Sequence, residues 1–284
     1  MTKQLLSKIE GCYSSMSKGH KRITDYITEN YDKAAFMTAA KLGDAVGVSE
    51  STVVRFASEL GFSGYPQLQK TLQEVVKSRL TSVQRMEAAG GEDMLEHAFS
   101  SDIDTIKATR ESISREAFNA SVEAINRAKH IYVLGVRSAA SLASFAAFYL
   151  NFVYDSVTLI EPAGTGEAFD QAFRINKDDV CIAISFPRYS KQTINMLRFI
   201  SDRGATIISV TDSENSPIAQ FATHLLLARS SMVSFVDSLV APLSLINALI
   251  AAAASEKSSE VYSNLSSLEN IWDEYQIYQT HEDE

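Results

Sequence analysis

From about residue 131 to residue 229 the chain repeats one unit: a short, unbroken apolar run, then a longer stretch with apolar residues at three- and four-residue steps. The runs are IYVLGV (131–136), SVTLIE (156–161), DVCIAISF (179–186), ATIISVT (205–211) and THLLLAR (223–229). Their length and β-branched content predict strands. Because they are continuously apolar and do not alternate, both faces of each strand are buried. Helical patterns lie between them, which predicts a parallel sheet covered on both sides, a three-layer αβα architecture. In such sheets ligands bind beyond the carboxyl ends of the strands. Two helical patterns precede the first run, starting near residue 93. Two more follow the last, over 232–254 and 260–278.

The first 77 residues have no such runs and read as short helices only. Ser17 is placed to N-cap a helix whose apolar residues Ile23, Tyr26 and Ile27 share a face. Thr38 caps a second helix, AAKLGDAV, and Ser49 a third, ESTVVRFASEL, which ends at Gly61. Pro66 suits the first turn of a fourth, PQLQKTLQEVV. Residues 78–92 lose clean periodicity and end in Gly90-Gly91, a linker or else a plain break between two helices. The predicted organisation is an all-α domain over 1–77, a linker over 78–92, and an α/β domain with C-terminal helices over 93–284.

Charge sharpens this division. The chain carries a net −9, but residues 1–80 hold 11 Lys and Arg against 8 Asp and Glu. A small basic module is therefore attached to an acidic body, and any contact with nucleic acid must be local. The most apolar stretch, 239–254, contains Pro242, Ser244 and Asn247 and is shorter than the roughly 20 residues of a membrane span. It reads as a buried or interface helix. No basic, apolar leader opens the sequence, and the two cysteines, Cys12 and Cys181, lie far apart. Cytoplasmic localisation without a disulfide framework is expected.

The stretch KLGDAVGVSESTVVRFASELGF has the features of a DNA-reading helix pair. Leu42 and Val46 face inward from its first helix, Gly47 permits the sharp turn, and Val53 and Phe56 anchor the second helix. Ser49, Glu50, Ser51, Thr52 and Arg55 are left at the outer N-terminal part of that helix, where side chains reach base edges. Arg55 suits bidentate pairing with guanine. A helical hairpin that binds nothing is the plainer alternative.

The run GVSESTVVRFASELGFSGYPQLQ resembles the N-terminal domain of the RpiR family of bacterial transcriptional regulators. Val48, Ser49, Thr52, Val53, Val54, Arg55, Phe56, Leu60, Gly61, Phe62, Gly64 and Tyr65 carry the resemblance. That family joins its helical domain to a sugar isomerase (SIS) domain, and residues from about 93 to 256 independently resemble one. The resemblance implies two phosphosugar-binding turns. The first is GVRS, with Gly135, Arg137 and Ser138; the second is SFPRYS, with Ser185, Arg188 and Ser190. A strand, a hydroxyl-rich turn and a helix N-terminus together suit an anion. The chain departs from the family pattern at Pro187-Arg188, where Ser-Gly is usual, and at Arg137, where Gly or Ser is usual. Each arginine adds a permanent planar charge suited to phosphate or carboxylate. The competing reading pairs these arginines with local acids such as Glu161 or Glu167.

Isomerisation would need a general base within reach of the sugar. Glu161, Glu167 and His224 stand at strand ends, but Glu167 in AGTGEAFD also fits ordinary helix-start chemistry. The GTG at 164–166 is too short for a dinucleotide fingerprint, and there is no metal spacing or Walker loop. The expectation is therefore a regulator of carbohydrate-metabolism genes with no catalytic residue, metal or cofactor. Its expected partners are double-stranded operator DNA and a phosphosugar or sugar-acid effector, with no membrane contact. Assembly into a homodimer or homotetramer is expected through the apolar helix over 233–254. The alternative is a phosphosugar isomerase with a helical N-terminal extension.

Overall fold

The computed structural model describes residues 13–77, 81–88, 93–161 and 166–278. They form two compact units. One is drawn from the chain up to Asp93 together with Met232–Val236; the other starts at Met94 and includes the C-terminal helices.

In the first unit, helices α1 (Lys18–Glu29), α2 (Tyr31–Ala34), α3 (Ala39–Val46), α4 (Glu50–Glu59), α5 (Tyr65–Lys77) and α6 (Ser82–Ala88) follow in order. Local chemistry sets the starts. The Ser17 hydroxyl accepts from the His20 N–H, and the Thr38 hydroxyl from the Lys41 N–H. Gly47 (φ 70°) and Gly61 (φ 81°) take the left-handed conformation that ends α3 and α4. Pro66 is the second residue of α5. The core is a cluster around Ile23, Ile27, Leu42, Val53, Phe56, Leu60, Leu68 and Leu72. Burying each such side chain contributes roughly 1.5–3 kcal/mol. Polar groups of α5 satisfy backbone carbonyls after α2: Tyr65 Oη and Gln69 Nε2 both donate to the Met37 carbonyl, at 2.7 and 2.8 Å. Burial pushes the Tyr65 hydroxyl up to about 12. The stretch expected as a linker, 78–92, contains the helix α6. Gly90-Gly91 lie outside the described residues.

The second unit opens with α7 (Met94–Ser112) and α8 (Arg115–Arg127). Then come β1 (Ile131–Gly135), α9 (Ser138–Leu150), β2 (Val157–Ile160), α10 (Glu167–Ala172), β3 (Val180–Ile184), α11 (Lys191–Asp202), β4 (Thr206–Thr211) and β5 (His224–Leu227). All five predicted strands form. They pair in parallel, in the order β2-β1-β3-β4-β5. Alternate residues of β1 divide between the layers. Ile131 and Val133 join α9, and Tyr132 and Leu134 join α10 and α11. Cys181 is fully buried in this sheet, and burial pushes its thiol up to about 12.

The final helices are α12 (Val240–Glu256) and α13 (Ser258–Glu274). The periodicity reading started the first of these at 232; it starts eight residues later. Pro242 occupies its first turn, and proline's ring and missing N–H oppose a helix running through from upstream. One face of this helix packs within the unit. Ala241, Pro242, Leu245, Ile246, Leu249 and Ala253 are buried in the unit's own core. Val240, Ser244, Asn247, Ala248 and Ala251 of the same helix stay exposed. Exposed aromatic residues of this unit include Phe148 and Tyr149 on α9 and Tyr262 on α13, with Tyr278 just beyond it. Among the described residues no helix is long and apolar enough to cross a membrane.

Candidate functional site

In the first unit, α3, the Gly47 turn and α4 form the helix pair. Two glycines make its tight angle possible. Gly47 supplies the positive φ, as its place in the sequence predicts. Gly43 supplies clearance, which periodicity alone did not reveal: a Cβ there would stand 2.7 Å from the Val48 carbonyl oxygen and 3.4 Å from the Glu50 nitrogen. Only a missing side chain lets α3 touch the start of α4.

The predicted reading residues lie together on the first turns of α4. Ser49 occupies the N-cap position, but its hydroxyl does not cap the helix. It bonds instead to the hydroxyls of Ser51 and Thr52, each at 2.9 Å. Three hydroxyls therefore cluster at the positive end of the helix, where acceptors such as phosphate are favoured. Glu50, Ser51 and Arg55 are exposed, and the Arg55 side chain folds back so that Nε donates to the Ser51 carbonyl (3.3 Å). Val53 and Phe56 face the core, as the pattern required.

In the second unit, the strand order places the two predicted turns side by side. β1 and β3 are neighbours, with Gly135 opposite Ile184 at their ends. From β1 the chain moves to β2 on one side of the sheet, while β3 lies on the other. This is the switch point at which open α/β sheets form a crevice. Gly135 is where α9 closes onto the sheet: a Cβ there would stand 2.6 Å from the Ala139 carbonyl oxygen and 2.8 Å from the Ala143 Cβ. The backbone of Arg137, immediately before α9, lies at φ 58°, ψ −126°. Arg188, in the turn after β3, has φ 67°. Both arginines thus hold a conformation that glycine adopts freely and other residues do not. Held positive φ at a non-glycine residue costs on the order of 1–3 kcal/mol and gathers at ligand sites. Both side chains, and Ser138, are exposed.

The remaining hydroxyls differ in state. Ser185 is buried, and its N–H donates to the Val210 carbonyl. Ser190 caps α11, accepting from the Gln192 N–H at 3.2 Å, so its own O–H remains to donate. A further contact braces this turn. Tyr189 Oη donates to Asp212 Oδ1 at 2.6 Å, tying the loop after β3 to the end of β4. Neither residue was singled out by sequence; the signal was an acid directly after a buried strand.

The three base candidates separate. The Glu161 backbone is clamped by Gln171, whose side chain accepts from its N–H (2.8 Å) and donates to its carbonyl (3.3 Å). Glu167 is the exposed first residue of α10. His224 begins β5, and because every strand is parallel it lies at the opposite edge of the sheet from both turns. There it lines a cavity of about 420 Å3 with Lys129, Asp178 and Thr206. It cannot act at the switch point. Residues 162–165, including most of the GTG motif, lie outside the described residues.

Two family profiles match this chain. "Helix-turn-helix domain, rpiR family" covers residues 3–79, and "SIS domain" covers 124–252. An uncharacterised helix-turn-helix-type transcriptional regulator of Clostridium perfringens is 23% identical over 266 residues, 90% of this chain and 94% of its own length. The transcriptional regulator HexR of Pseudomonas aeruginosa is 24% identical, over 78% of this chain and 77% of its own. Among solved structures, the sugar isomerase domain of an RpiR transcription factor from Sphaerobacter thermophilus superposes with a TM-score of 0.58 at 29% identity, covering 61% of this chain and 96% of that one. The Vibrio vulnificus NanR protein, complexed with ManNAc-6P, gives a TM-score of 0.60 at 22% identity, covering 95% and 98%.

Proposed function

Because the chain belongs to the RpiR family of helix-turn-helix transcriptional regulators and carries that family's SIS domain, we propose that it controls carbohydrate-metabolism genes in response to a phosphosugar or sugar-acid effector. The reading assigns 1–77 to DNA binding and 93–284 to sensing. Ser49, Glu50, Ser51, Thr52 and Arg55 face operator DNA. Gly135, Arg137, Ser138, Ser185, Arg188 and Ser190 form the effector site.

One observation carries the effector assignment. Arg137 and Arg188 both keep positive φ at the ends of adjacent strands flanking the switch point. The glycine-like path of each turn is kept although the side chain has changed. Two helix starts then frame a position to which guanidinium groups bring charge. That NanR, with the same fold, is complexed with a phosphosugar supports an anion of this class. Effector and operator then alter each other's affinity reciprocally, by a coupling of typically 1–3 kcal/mol. Its relatives are named as regulators, so the isomerase reading is not favoured.

Operators with two half-sites need two reading heads, which a homodimer or homotetramer in the cytoplasm supplies. The exposed aromatic residues of α9 and α13 offer a surface for that pairing. A thermal-shift screen against sugar phosphates and sugar acids tests the effector class, because a ligand at 100 times its Kd stabilises by about 2.7 kcal/mol. A shift with no compound of either class overturns it. Light scattering on the full chain tests assembly, and a monomer at micromolar concentration refutes it.

A further inference from the structure

We propose that Arg22, on the helix preceding the helix-turn-helix, is a phosphate-contacting residue that sets how α4 sits on duplex DNA. The inference rests on the DNA-binding reading above and adds a contact outside the residues assigned there.

The first five residues of α1 are Lys18, Gly19, His20, Lys21 and Arg22, with three cations and no acid. The fold gives the last four different fates. His20 turns inward, edge-on to Phe56, with Nδ1 2.7 Å from Glu59 Oε2. Lys21 lies over the Tyr13 ring, 5.4 Å from its centre. Gly19 lets α1 approach α4: a Cβ there would stand 3.4 Å from Thr52 Cγ2 and 3.6 Å from Val48 Cγ1. Thr52 is one of the reading residues, so the first turn of α1 runs beside the first turn of α4.

Arg22 follows Gly19 by three positions and so shares its face of α1. Its guanidinium lies over Gly47, in the space a Cβ would occupy. Gly47 is required by its positive φ, and its missing side chain leaves the space that the Arg22 guanidinium occupies. The outcome is a planar, permanent cation lying across the turn that leads into α4. It is exposed, and it forms no ion pair with another described residue. A five-donor cation beside a helix N-terminus matches a phosphate. Phosphate contacts carry register and orientation, while base contacts carry sequence. Arg22 is thus assigned to the first task and Arg55 to the second.

Anisotropy titrations of the full chain over a salt series test this, with two probes: a duplex enriched by the wild-type protein from a random pool, and a random-sequence duplex. Arg22→Gln should weaken binding to both probes by the same factor. It should also lower the slope of log affinity against log salt by about 0.9 per bound chain. Arg22→Lys should restore that slope, because the charge returns. Melting temperatures report folding. If Arg22→Gln keeps the wild-type slope, the contact is overturned. It is also overturned if Arg22→Lys fails to rescue and both variants melt early, since Arg22 then only packs on the turn. Arg55→Ala separates this from the underlying reading. If it erases the preference for the enriched duplex while Arg22→Gln is silent, the DNA reading stands and the phosphate contact falls. If wild type binds neither duplex, both fall.

Discussion

Arg137 and Arg188 hold positive φ, at 58° and 67°, just beyond the ends of neighbouring strands whose last register pair is Gly135 with Ile184. Left-handed backbone of this kind is unfavourable for a residue with a side chain. Both turns follow the carboxyl ends of adjacent strands at the point where the strand order reverses, the place where open α/β sheets generally bind ligands.

Removing that strain should stabilise the protein. Arg137→Gly should raise stability by about 1 kcal/mol, the relief of positive φ exceeding the entropy glycine adds to the unfolded chain. That is a rise of about 2–4 °C in Tm for a domain of this size. Arg137→Ala keeps the strained backbone and should show no gain. Equal melting of the two variants would remove strain from the account.

The effector should depend on the second arginine. Losing one charged hydrogen bond costs about 1.5–3 kcal/mol, so Arg188→Ala should bind a screened effector roughly ten- to hundredfold more weakly. Calorimetry on wild type and variant reads this directly. Unchanged affinity would mean that Arg188 faces a local acid instead.

Gly43→Ala should damage the reading head alone. Its Cβ would meet the backbone oxygen of Val48, which is fixed between two helices. Overpacking of this kind costs typically 1–3 kcal/mol. DNA affinity should fall, while the effector-induced shift of the sensing domain persists. Loss of both together would show that the damage spreads.

Arg55→Ala should cost about 1–3 kcal/mol of specific binding and relax preference at one base position. Selection of binding sites from a random pool, run on both proteins, compares the preferred sequences. Identical preferences would move base reading to Thr52 or Ser51.

The Cys181 thiol should resist labelling in the native protein. It is fully buried in β3, and burial raises it from 9.0 to about 12. The sign follows. The unfolded thiol ionises first, so this group's contribution is full below about 9 and is lost as pH rises toward 12. Reagent uptake at pH 8 should appear only after denaturation; rapid native uptake would place the thiol at the surface.

The sequence by itself determined the elements and their chemistry. Five strands were legible because burial on both faces writes an unbroken apolar run, as in Val180–Ile184. Ser17, Thr38, Gly47 and Gly61 were legible as caps because a cap is satisfied within a few residues of itself. Pro242 carried the same kind of local signal for the start of α12, but the apolar pattern upstream obscured it. Only the tertiary structure decided what meets across the fold. Strand order brought residues 135–138 beside 185–190 and sent His224 to the far edge. Close approach made Gly43 obligatory, put Arg22 over Gly47, and joined Tyr189 to Asp212. Caps and strand burial depend on neighbours in the chain. These other relationships depend on distances between segments far apart in sequence, and those distances exist only once the core has packed.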